Sequence, residues 1–264
     1  PVQGADSIWI CTLDVATGRF DLANPPTRAA AFEAMATAVD APGPVLLGVD
    51  AALGYPIGFA RRLGLPGTPW EAVWEHLANR LHDDHRNRND RWAVAADLNR
   101  RLGANHFWGV PPAAAGEHLT ARRPQWTEHH LPAYRLTEQR LRERGRRPFS
   151  VWQLLGAGSV GSQAITCIAA LQRLRMLPQL RERIRVWPFE TGLELPTDHS
   201  IVVAEVWPSA IDVDHVDHPV KDARQVIALA QWFASHASYE MFPVDADDAT
   251  CSAALEEGWV LGPT

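Results

Sequence analysis

Two short, uninterrupted apolar runs, each closed by an acid, constrain this chain more than any other feature. Val45-Leu46-Leu47-Gly48-Val49 leads into Asp50 and the turn Ala51-Ala52-Leu53-Gly54-Tyr55-Pro56. Ile201-Val202-Val203-Ala204 leads into Glu205 and Val206-Trp207-Pro208. Runs so short and so continuously apolar read as strands of an open α/β sheet. In open sheets of that kind ligands bind beyond the carboxyl ends of the strands, so Asp50 and Glu205 stand where chemistry is done. A third acidic station, Asp245, Asp247 and Asp248, opens a C-terminal helix beginning Ala249-Thr250-Cys251. Carboxylates gathered in this way suit a hard divalent cation.

The flanking segments fill in a mixed α/β sheet. Ser7 to Leu13 reads as a strand and Arg19 to Leu22 as its hairpin partner; Thr27 is the expected N-cap of a helix from Arg28 to Val39. From about 58 to 147 the chain turns rich in Arg, His, Asn and Trp, with helical stretches and no strand, and reads as a helical insertion over the active edge of the sheet. There Trp70, Val73, Trp74 and Leu77 share one helix face, Asp90 to Leu102 forms a second helix, and Arg135 to Arg144 a basic third one stopped by Gly145. The spacing predicts a strand over Phe149 to Leu155, a helix over Ser162 to Leu177, strands from Ile184 and Ile201, and a helix from Lys221 or Asp222 to His236. At 264 residues this makes one domain.

Composition narrows the class. With 46% hydrophobic and 21% charged residues the chain reads as a soluble globule, and no apolar run approaches the roughly 18 residues of a membrane span. No secretory signal opens it, and Cys11, Cys167 and Cys251 are too scattered for a disulfide framework, so a reduced cytoplasm is the expectation. The net charge of -6 argues against a general nucleic-acid footprint while leaving room for a local basic groove. Of the 25 basic residues one, Lys221, is lysine and the rest are arginine. A lone lysine offers a compact, rotatable ammonium that arginine cannot replace.

Gly156-Ala157-Gly158-Ser159-Val160-Gly161 is a GxGxxG between an expected strand and a helix, the pattern that lets a backbone approach phosphate. The acid a dinucleotide site needs about 20 residues on is misplaced, so Gly156, Gly158, Ser159 and Gly161 serve either another phosphate group or close packing. Trp108 is a candidate to stack on a base or ring. Arg140, Arg142, Arg144, Arg146 and Arg147 match phosphate oxygens in chemistry, and equally fit a solvated helix face beside Glu138 and Glu143. The loop Asp212, Asp214, His215, Asp217, His218 and the cluster His82-Asp83-Asp84-His85 carry metal-ligand types, though both read more simply as solvated surface. No GxSxG elbow and no Walker A sequence is present.

An ordered series of segments resembles a bacterial family of unknown function with an RNase H-like fold, in particular a subgroup labelled molybdopterin guanine dinucleotide synthesis-like. The matching residues are Asp6-Ser7-Ile8-Trp9, Gly48-Val49-Asp50 with Gly54 to Ala60, Asn89 to Asn99, Phe107-Trp108-Gly109, and Val151-Trp152-Gln153 running into Gly156 to Gln163. They continue with Val186 to Glu190, Glu205 to Ser209, Lys221 to Val226 and Glu256 to Gly262. The resemblance implies an RNase H-like mixed sheet flanked by helices. Members of that family begin with a strand ending in an Asp-Trp-Ser-like segment, whereas this chain opens at Pro1, so the first strand and its aspartate are expected to be missing from it. The turn after Asp50 carries Ala51-Ala52 where the family commonly has Phe-Pro.

The combined expectation is metal-dependent phosphoryl or phosphodiester chemistry on a nucleotide-containing substrate. Asp50, Glu205 and Asp248 would hold Mg²⁺ or Mn²⁺, with Asp247 and Glu190 as further ligands and Lys221 neutralising developing charge. The alternative is a non-catalytic protein that binds a nucleotide or cofactor, or serves as an assembly partner, through the glycine loop and Trp108.

Overall fold

The computed structural model describes residues 8–156, 158–196, 198, 200–236 and 246–262. Asp245, residues 1–7 and Ala157 of the glycine loop lie outside them. The described chain is an α/β fold with a mixed strand set.

A hairpin comes first. β1 (Ile10–Leu13) and β2 (Phe20–Ala23) pair antiparallel across a turn in which the Asp14 carboxylate accepts the N–H groups of Ala16 and Thr17. α1 (Arg28–Val39) starts as expected at Thr27, whose hydroxyl accepts the Ala30 N–H at 3.1 Å. β3 (Val45–Val49), β4 (Ile184–Val186), β5 (Ile201–Val206) and β6 (Val260–Leu261) form a separate parallel sheet in the order β3-β5-β4, with β6 beside β5. β5 is buried along its whole length, as its unbroken Val/Ile/Ala run requires. On the other side β3 pairs with no described strand, and its residues are only half-buried, with Gly48 exposed.

Between β3 and β4 lie α2 (Phe59–Arg62), α3 (Pro69–Arg80), α4 (Arg91–Leu102), α5 (Leu136–Glu143) and α6 (Val160–Arg175). The stretch from 58 to 147 therefore contains helices and isolated bridges but no named strand among the described residues. Trp70, Val73, Trp74 and Leu77 of α3 are all buried, on the face that their spacing marks. Behind the turn after Asp50, Tyr55 stacks on Phe59 at 4.3 Å, and both rings meet Trp152 at 5.5 Å. Such ring pairs add about 1 kcal/mol each beyond the area they bury. α7 (Lys221–Ser235) packs against β1, and α8 (Asp248–Glu257) runs back to the strand ends. Among the described residues no helix is long and apolar enough to cross a membrane.

One expected element differs. Phe149 to Leu155 is a turn with a single bridge at Gln153, not a strand. Ser150 staples it: its hydroxyl donates to the Ala133 carbonyl at 2.7 Å and accepts the Trp152 N–H, while its carbonyl accepts the Gln153 N–H. Val151, Trp152 and Leu154 are still buried, so their apolar pattern reports burial rather than extended backbone. His82, Asp84 and His85 are exposed in the turn after α3, where Asp83 pairs with Arg28 and Asp90 holds His82.

Candidate functional site

Asp50 ends β3, and the last ladder pair of that strand sets Val49 opposite Glu205. The two acids expected at strand ends are thus on neighbouring strands, beside each other. Asp50 opens to solvent, yet the protein packed around it, then the Glu205 carboxylate, then Asp222, push its carboxyl up to about 6. Asp222, in the first turn of α7, joins the site through this coupling and follows directly on Lys221, the exposed first residue of the helix. Cys167 of α6 also lies within electrostatic reach, its thiol pushed up to about 11 by burial and then by Asp50.

Glu205 meets a different fate. It is 6% exposed, and Arg135, 1% exposed, grips it through both terminal nitrogens: Nη1 donates to Oε2 at 2.7 Å and Nη2 to Oε1 at 2.6 Å. The Leu53 N–H adds a third hydrogen bond to Oε2 at 3.1 Å. The rest of the guanidinium is also satisfied, with Nε donating to Glu138 Oε1 at 2.8 Å and Nη1 to the Glu257 carbonyl at 3.1 Å. Burial opposes the charge on Arg135, but Glu138 and Glu205 more than offset it and hold the guanidinium ionised. Glu257, also buried, accepts the N–H groups of Ile57 and Leu136 at 2.6 Å each. One arginine and three buried carboxylates therefore tie the turn after Asp50, the start of α5, the end of β5 and the end of α8 into a single unit.

The remaining acids are dispersed. Asp247 is the N-cap of α8, its carboxylate accepting the Thr250 N–H at 2.8 Å, and the hydrogen bonds to Thr250 hold it below the usual carboxylate range. Asp248 opens the same helix, whose opposite end, Glu256 and Glu257, is what meets the turn after Asp50. At 1.5 Å per residue that leaves about 13 Å of helix between Asp248 and the strand ends. Glu190 accepts the Val186 N–H at 2.7 Å and pairs with Arg175 at 3.4 Å, closing the turn after β4. Asp212 and Asp214 are exposed and joined by a local turn, while His218 packs edge-on against Trp9 at 5.4 Å. Among the described residues no three His, Cys, Asp or Glu side chains gather to hold a metal ion.

The glycine loop packs tightly. A Cβ on Gly161 would lie 2.5 Å from the Val151 carbonyl oxygen, and Gly158, at φ +70°, receives the ring of Phe149. The first four N–H groups of α6 are all in use: Val160 donates to Gly158, Gly161 to Gln153, and Ser162 and Gln163 to Ser159. Trp108 is half-buried against the core, its backbone bridging to Thr120 and Gln153.

Arg135 and Asp222 are the two site residues that the sequence reading did not select. Asp222 had a visible signal, an acid in the first turn of a helix next to the lone lysine. Arg135 had none, because its partner Glu205 is 70 positions away. Comparisons with family models, with curated proteins and with solved structures return no match.

Proposed function

We propose that this chain is an RNase H-like protein that carries out metal-dependent phosphoryl or phosphodiester chemistry on a nucleotide-containing substrate at the end of β3. The observation that carries this reading is Asp50: a solvent-facing carboxylate beyond a parallel strand, raised by burial and by the neighbouring Glu205 and Asp222. Acids that repel one another in this way bind a divalent cation in place of a proton. Two carboxylates fit Mg²⁺ or Mn²⁺, since Mg²⁺ keeps several waters and completes its shell with substrate phosphate rather than with a protein cage.

In this reading Asp50 and Asp222 hold the cation. Glu205, neutralised by Arg135, fixes the turn that carries Asp50 and adds negative potential from behind. Lys221 brings its ammonium to the same helix end for charge developing on a phosphoryl oxygen. A bound divalent cation supplies Lewis-acid polarisation of that oxygen. The second reading, a non-catalytic nucleotide- or cofactor-binding protein, draws support from the engagement of both Glu205 oxygens, which leaves fewer acids than a two-metal centre uses.

A calorimetric Mn²⁺ titration of the chain beside Asp50→Asn and Asp222→Asn tests the site. Binding that is lost in both variants and strengthens as pH rises through about 6, where Asp50 gives up its proton, supports it. Binding indifferent to Asp50→Asn refutes it. Hydrolysis of a generic phosphodiester by the Mn²⁺-loaded chain then separates the enzyme from the binding protein.

A further inference from the structure

Five arginines in the eight positions 140–147 face solvent, against one exposed acid, Glu143, in a chain of net charge -6. Arg140 pairs with Glu143 at 3.3 Å and is also within electrostatic reach of Asp247 at the start of α8, and Arg142 lies 4.5 Å over the ring of Tyr134. Arg146 and Arg147 make no ion pair among the described residues. Two positions on, Phe149 is 47% exposed while one side of its ring rests on Gly158, and Leu155 nearby is 43% exposed. A charged stripe that served only solubility would carry both signs and would not end in a large exposed aromatic ring.

We infer that the surface from Arg142 to Phe149 binds single-stranded nucleic acid, with guanidinium groups on the phosphates and Phe149 stacked on a base. Arginine forks match phosphate oxygens bidentately, and an aromatic face seats any base. The inference rests on the reading of the strand-end site as a phosphoryl centre, and names its substrate as a polymer. α5 supplies the geometry. Arg135 at its head grips Glu205 beside Asp50, and the helix of 8 residues carries the chain away from that point before Arg146 and Arg147 follow. The loop after α5 then folds back: the Arg146 N–H donates to the Leu141 carbonyl and the Ser150 hydroxyl to the Ala133 carbonyl, so Phe149 returns toward the head of a helix about 12 Å long whose far end carries Arg142 and Arg144. Guanidinium groups and an exposed ring set along the length of one helix present contacts for more than one nucleotide.

The test is fluorescence anisotropy of a labelled oligothymidylate with the full chain across a salt series, beside Arg146→Glu/Arg147→Glu and Phe149→Ala. The expected result is binding to the parent chain that weakens at least tenfold in the double arginine variant, whose log–log salt slope falls by about 1.4. Phe149→Ala should weaken binding roughly tenfold and leave the salt slope unchanged. Absence of binding at low salt, equal affinity in the double arginine variant, or displacement by thymidine monophosphate as effective as by the oligomer would each overturn the inference. A Mn²⁺ titration of the double arginine variant keeps the two readings apart. If the variant matches the parent in Mn²⁺ binding and loses only the oligonucleotide, both readings stand; if the parent chain itself binds Mn²⁺ but no oligonucleotide, the polymer inference falls and the cation site stands.

Discussion

Replacing Arg135 with methionine should be among the most damaging single changes in this chain. The guanidinium is 1% exposed and donates to Glu205, Glu138 and the Glu257 carbonyl. Methionine of similar length leaves the Glu205 and Glu138 carboxylates, 6% and 3% exposed, without their cation. Breaking a buried pair in this one-sided way costs about 3–5 kcal/mol, because the remaining charge is neither solvated nor paired. For a chain of this size 1 kcal/mol corresponds to about 2–4 °C, so the melting temperature should fall by roughly 10 °C. Urea unfolding of Arg135→Met, Glu205→Gln and the double variant measures the loss directly. The double variant should recover a large part of it, since Glu205→Gln removes the stranded charge. The deficit of Arg135→Met should also shrink as the pH falls, because the stranded carboxylates then take up protons. A loss below about 1 kcal/mol, or a double variant no more stable than Arg135→Met, would refute the picture of a buried charge network.

His106 is fully buried; its Nδ1–H faces the Ala104 carbonyl at 3.1 Å and its Nε2 accepts the Leu131 N–H at 2.8 Å. Burial pushes its pKa down to about 4, so the neutral ring contributes stability that is complete above its unfolded value and is lost as pH falls through about 4. That amounts to about 3 kcal/mol, and His106→Gln should flatten this part of the acid-unfolding profile; a profile of unchanged shape would refute it. Gly161→Ala sets a Cβ 2.5 Å from the Val151 carbonyl oxygen and 2.9 Å from that of Gln153, and thermal melting should show a loss of about 1–3 kcal/mol. If the loop is a packing device, Mn²⁺ binding by the folded Gly161→Ala chain should equal that of the parent.

Much of the fold was legible because local chemistry and tertiary context agree. Val45–Val49 and Ile201–Val206 are too short and too apolar for anything but strands, the second of them buried throughout, and the Thr27 hydroxyl caps the helix that its position marks. The reading failed where burial and backbone shape part company. Val151, Trp152 and Leu154 carry the apolar pattern of a strand, but the Ser150 hydroxyl folds the segment into a turn that delivers the same side chains to the core. Val260–Leu261 is a strand of 2 residues, and gains its identity from Glu205 and Val206 across the ladder rather than from its own sequence.

Asp50 and Glu205 show why strand-end acids cannot be assigned by position alone. Both close an apolar strand, and they end up adjacent across the β3–β5 ladder. What separates them is a cation delivered from the helical segment: Arg135 and the Leu53 N–H take up Glu205, while Asp50 faces solvent with acids for neighbours. The pairing also makes the exposed acid usable. Were Glu205 left ionised and unpaired, its repulsion would raise the proton affinity of Asp50 further and favour the neutral acid near neutral pH. Burial, then Glu205, then Asp222 set the carboxyl of Asp50 at about 6, in a field that favours a cation. The division is therefore a property of the pair and its arginine: one acid fixes the turn, and the other, left facing solvent, is the one the proposed reading assigns to the cation.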